Sequence, residues 1–126
     1  MFGTIHHAGY LTDDLDKTLA FCENAFRGRV TARTSQPDGT QVAFFKAGES
    51  EMEIIQPADP TRLGGRTGLI FDHVGYFVAN LDEAMKELEA KGIKFSRGLI
   101  TNPLGFRIAY MDAEDTLGTR IHLTGK

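Results

Sequence analysis

Hydrophobic positions along the chain fall into two helical stripes, each set among short alternating runs. Leu15, Leu19, Cys22 and Phe26 recur at helical steps, as do Leu81, Ala84, Met85 and Leu88. Such spacing puts each set on one side of an α-helix. Asp13 or Asp14 precedes the first stripe and Asn80 the second, side chains suited to capping a helix start. Both helices are expected to stop at a glycine, Gly28 and Gly92, where a left-handed residue costs little. A strand-like run comes before each helix, residues 6–12 and 71–78. Three shorter runs follow the first helix ("RVTARTS", "QVAFFKAG", "EMEIIQP"), with "QPDGT" as a hairpin-type turn. Three follow the second ("IKFSRG", "FRIAYMD", "GTRIHLTG"), with "TNPLG" as the break. The stretch 58–67, "ADPTRLGGRT", has the proline and glycine content of a linker. The pattern is therefore strand–helix–strand–strand–strand, written twice.

The wording also repeats. "IHHAGYLTDDLD" and "FDHVGYFVANLD" place His7 on His73, Gly9 on Gly75, Tyr10 on Tyr76, Leu15 on Leu81 and Asp16 on Asp82. If the halves are equivalent, their last strands align too, and "MEII" over "IHLT" sets Glu53 on His122. The longer turn "DAEDTLGT" absorbs the extra residues of the second half. Strand alternation then assigns directions. Met52 and Ile54 share the apolar face with Glu53 opposite; Ile121 and Leu123 share theirs with Arg120, His122 and Thr124 opposite. His6 lies on the face of Ala8 and Tyr10, whereas His7 shares a face with Gly9 and has a counterpart in the second copy. A buried histidine is often no more than hydrogen-bonded core. Four polar residues at equivalent positions on the unpacked face have no packing explanation. His7, Glu53, His73 and His122 make a plausible site for a divalent metal.

Composition narrows the function. Fourteen basic residues stand against 17 acidic ones, a net charge of −3, without any basic run. Nucleic-acid binding, which needs clustered cations, is disfavoured. No secretory leader and no run of membrane-spanning length is read in the chain, and a single cysteine, Cys22, points to a reducing cytoplasm. Cys22 falls in the helical stripe, so packing is expected of it rather than nucleophilic chemistry.

The segments "HHAGYLTDDLDKTLAF", "EMEIIQP", "FDHVGYFVANLDEAMKEL" and "AYMDAEDTLGTRIHL" resemble the vicinal oxygen chelate superfamily, the glyoxalase/bleomycin-resistance/dioxygenase group. The wording is most similar to methylmalonyl-CoA epimerases and glyoxalase-like relatives. The resemblance implies an α+β fold of two tandem βαβββ modules whose curved sheets form a shared cleft. Residues 1–126 would be a single domain, with module 1 at about 4–57, a linker at about 58–68 and module 2 at about 69–126. It implies ligands from the first and fourth strand of each module, which here are His7, Glu53, His73 and His122, around one divalent ion: Zn, Ni, Co, Fe or Mn. It implies a lyase or isomerase that acts on a small carbonyl substrate through a metal-stabilised enediolate, and a homodimer.

One departure is His122, where epimerases and glyoxalases usually carry a glutamate that doubles as acid/base group. Three imidazoles and one carboxylate leave a single net positive charge on a dication, which favours an anionic oxygen pair. Proton abstraction would fall to Glu53, or to His122 if unbound. Arg120, on the face of His122, is a candidate for holding an anionic group, or a solvated strand-edge arginine. The alternative is a metal-free small-molecule-binding protein of the resistance type. A ring-cleaving dioxygenase is disfavoured, since its iron triad wants a carboxylate where His122 stands.

Overall fold

The computed structural model describes residues 2–102 and 105–125. Pro103 and Leu104 of the "TNPLG" break lie outside the described residues. The chain forms two compact units: residues 7–72, and residues 73 onward together with the chain before His7. Each contains one βαβββ module.

In the first, β1 (Ile5–Thr12) leads into α1 (Leu15–Phe26), followed by β2 (Arg29–Ser35), β3 (Gln41–Ala47) and β4 (Ser50–Gln56). Asp14 caps α1, its carboxylate accepting the Lys17 amide at 3.1 Å. The strands lie in the order β2-β3-β4-β1, with β1 parallel to β4 and the other pairs antiparallel. The "QPDGT" turn closes with the Gln36 amide donating to the Thr40 carbonyl. Leu15, Leu19 and Cys22 are buried under the helix against Ala43, Phe45 and Ile54. Burial pushes the Cys22 thiol pKa up, which suits the packing role.

The second module repeats the plan with β5 (Leu69–Phe77), α2 (Leu81–Ala90), β6 (Leu99–Thr101), β7 (Arg107–Tyr110) and β8 (Ile121–Gly125). Asn80 caps α2 through the Glu83 amide at 3.0 Å. The order is β5-β8-β7-β6, again with the first and last strands parallel. Its core is Val78, Leu81, Ala84 and Leu88 over Ala109, Met111 and Leu123. The Gly3 amide donates to the Phe77 carbonyl and the Phe77 amide to the Thr4 carbonyl, which ties the N-terminal residues to this unit. Among the described residues no helix is long and apolar enough to cross a membrane.

Three expectations change. Phe26 leaves the α1 stripe: it is 47% exposed and packs edge-on against Phe21, while Thr18 is buried in the helix instead. The left-handed residue ending α1 is Arg27 (φ 54°), one position before the expected glycine. Gly28 serves another need, because a Cβ there would lie 2.2 Å from the Lys46 carbonyl oxygen and 2.6 Å from the Phe45 ring. "IKFSRG" is not a strand. Its Lys94 and Ser96 amides are taken by the carboxylates of Asp115 and Asp112, so strand pairing starts only at Leu99. The stretch read as a linker holds a 3-10 turn, Pro60–Leu63, whose Leu63 is buried with Leu11 and Ile70.

Gly28→Ala is expected to cost roughly 1–3 kcal/mol through overpacking. Arg27→Gly, which relieves a left-handed side chain, should gain up to about 1 kcal/mol. Urea midpoints at constant slope measure both.

Candidate functional site

In the first module, parallel pairing sets Gly9 of β1 directly opposite Glu53 of β4. His7 lies two residues before Gly9, so it shares the face of Glu53. His7 is 4% exposed, and its Nε2 stands 3.8 Å from Glu53 Oε1. That exceeds a hydrogen bond. It matches the roughly 3–4 Å between two donors on one ion bound at about 2.0–2.2 Å. Phe44, opposite Glu53 on β3, presents its ring edge-on to His7 at 5.9 Å.

The second module repeats this register. Gly75 of β5 is opposite His122 of β8. His73 and His122 are 0% and 1% exposed, with ring centroids 4.8 Å apart. Tyr110, opposite His122 on β7, takes the place that Phe44 holds in the first module. Its ring meets His122 edge-on at 4.7 Å and His73 at 5.9 Å. The structure thus brings together His7 with Glu53, and His73 with His122. His6 stays apart, its ring against Phe106 at 5.6 Å.

Sequence reasoning missed Phe44 and Tyr110. The signal was available: each sits on the neighbouring strand directly across from the fourth-strand site residue, a place that follows once Glu53 and His122 are aligned. It also missed Arg97. The guanidinium of Arg97 lies 4.6 Å from the Tyr110 ring centroid, and that of Arg120 lies 5.2 Å from it. Arg97 sits in a turn closed by the Gly98 amide donating to the Phe95 carbonyl. The turn is pinned by Asp112, which accepts from the Ser96 amide at 2.9 Å and from the Ser96 hydroxyl. These two bonds, with the Lys94 charge adding to them, hold the Asp112 carboxyl below its ordinary pKa.

A family model described as the glyoxalase/bleomycin resistance protein/dioxygenase superfamily matches residues 6–110. Among curated proteins none matches the chain. Solved structures do. Methylmalonyl-CoA epimerase from Mycobacterium tuberculosis superposes with a TM-score of 0.85 at 18% identity, covering 96% of this chain and 86% of that one. A variant of the Streptomyces coelicolor methylmalonyl-CoA epimerase, in complex with 2-nitronate-propionyl-CoA, gives 0.86 at 20% identity, covering 98% and 97%. A hypothetical protein from Bacillus halodurans gives 0.86 at 18% identity, covering 98% and 94%. At these identities the likeness is one of fold, and it bears out the paired βαβββ architecture.

The depressed Asp112 pKa fixes the sign of an acid response. Its hold on the Arg97 turn is present above the unfolded carboxylate value of about 4 and is lost as pH falls through the lower folded value. Ser96→Ala should move the Asp112 midpoint up toward the ordinary 3.8, read by carboxyl-carbon NMR. An unmoved midpoint would remove Ser96 as the cause.

Proposed function

Since the chain belongs to the glyoxalase/bleomycin resistance protein/dioxygenase superfamily, we propose that it is a divalent-metal-dependent lyase or isomerase acting on a small carbonyl substrate. One ion is held by His7, Glu53, His73 and His122. The observation that carries this reading is the matched register: Gly9 opposite Glu53 in one module and Gly75 opposite His122 in the other. Both modules put a side chain able to ligate a metal at the same point of the same parallel strand pair.

The donor set fits such an ion. Three buried imidazoles and a carboxylate suit Zn, Ni, Co, Fe or Mn, and suit poorly the hard cations that want oxygen alone. When bound, the ion supplies positive charge to two neighbouring oxygens of a carbonyl substrate and so acidifies the adjacent carbon.

The chain's own residues do the rest. The Glu53 side chain is 12% exposed, against 4% for His7. It takes the proton from the carbon beside the carbonyl and returns it to the product. His122, standing where a second carboxylate would offer a second base, confines the chemistry to one base. Phe44 sets its ring against His7, and Tyr110 sets its ring against His122. The acyl thioesters bound by the epimerases and the hemithioacetals of glyoxalase chemistry are the first substrates to screen.

Elemental mass spectrometry of the purified protein should find about one metal per chain, with His73→Ala losing most of it. A wild-type value near zero that added metal does not raise would sink this proposal and favour the metal-free binding alternative. Glu53→Gln should lower turnover by at least about 100-fold, the usual size of a lost general base, with metal retained. Unchanged turnover would show that the base is another group.

A further inference from the structure

Beside the His73–His122 pair lies a cleft of about 450 Å³ lined by Ser96, Arg97, Tyr110, Asp112, Glu114 and Arg120 among others. Its volume is that of a small-molecule subsite. We propose that this cleft binds an anionic group at the far end of the substrate, with Arg97 as its principal donor, so that the substrate is a short carbonyl compound carrying a terminal carboxylate. The inference rests on the metal site proposed above for the other end of the substrate.

Charge pairing within the cleft supports it. The acidic groups are committed elsewhere: Asp112 to Ser96 by two hydrogen bonds, and Glu114 to Lys94 at 3.2 Å, with Asp115 on the same lysine at 3.3 Å. The carboxylates nearest Arg97 are thus already engaged with other groups. Arg97 is an exposed residue, and the Asp112 clamp and the Phe95–Gly98 turn hold the residues on either side of it. The guanidinium reaches back to the protein. It is folded over the Tyr110 ring at 4.6 Å, and the second guanidinium, that of Arg120, approaches the same ring at 5.2 Å.

Stacking occupies the flat face of a guanidinium and leaves its in-plane N–H fork for a carboxylate. A fork held in place before the ligand arrives loses less entropy on binding, and a bidentate carboxylate is the anion that matches it. The Tyr110 and His122 rings also meet edge-on, their centroids 4.7 Å apart. Tyr110 is thus the residue that touches both the cation and the imidazole pair, and the proposed substrate would run past its ring. A neutral carbonyl compound would leave the fork empty.

The test compares two chelators that grip a metal through the same two neighbouring oxygens, acetohydroxamate and succinate monohydroxamate. Only the second ends in a carboxylate. Calorimetric titration of the metal-loaded protein at fixed ionic strength should show the second binding at least about tenfold tighter, the effect of one charge-assisted pair. In Arg97→Gln that preference should fall to near unity, while metal content and acetohydroxamate affinity hold. Arg97→Lys, which keeps charge without the fork, should restore part of it. Equal affinities in the wild type, or a preference that survives Arg97→Gln, would overturn the anion subsite and leave the metal reading standing. If metal content is near zero and neither hydroxamate binds, the metal reading fails on its own. The subsite is then judged by titrating succinate against the arginine side-chain N–H resonances. A saturable shift at Arg97 supports it, and no shift overturns it.

Discussion

Everything in the proposed site depends on the parallel pairing of first and fourth strand within each module, in one register. Side chains alternate along a strand, so a slip of one residue would turn Glu53 or His122 into the helix-covered core and bring an apolar neighbour to the open face. The register is held from the opposite side. Ile54 and Leu123, which flank Glu53 and His122 in sequence, are fully buried beneath α1 and α2. Hydrophobic packing under the helix thus fixes the direction of the polar residues that take no part in that packing. Stability and chemistry share one strand without competing for the same side chains.

The central antiparallel strand extends the same logic. It brings Phe44 opposite Glu53 and Tyr110 opposite His122. Both are aromatic, so each module lays a ring beside its site residues. They differ in what lies beyond. Tyr110 has two guanidinium groups against it. A shared frame has been given unlike surroundings by a few substitutions and by the turn that carries Arg97.

Legibility in the sequence followed the strength of the periodic signal. Both helices and their caps were readable, since a 3.6-residue period and an Asp or Asn at the entry each have one physical reading. The repeat brought out the four proposed site residues, because Glu53 by itself says nothing and gains meaning only when set on His122. Local surroundings were harder. Gly28 looked like a helix stop, but its need is the close approach of the Lys46 carbonyl, a tertiary contact. "IKFSRG" alternated like a strand, and side-chain carboxylates distant in sequence claimed its amides. Arg97 was invisible for the same reason: its neighbour Tyr110 comes to it through the fold, not through spacing along the chain.

The chain has no tryptophan and three tyrosines. Tyr10 rests edge-on to Phe71 at 5.8 Å, and Tyr76 packs against Phe2 at 5.2 Å, each beside a phenylalanine ring. Tyr110 alone of the three lies between arginine cations and imidazoles. Its near-ultraviolet absorption and emission respond to nearby charge, while the other two phenols provide a steady background. That ring is a built-in optical probe beside the proposed ion and anion sites, and it would report their filling without any label.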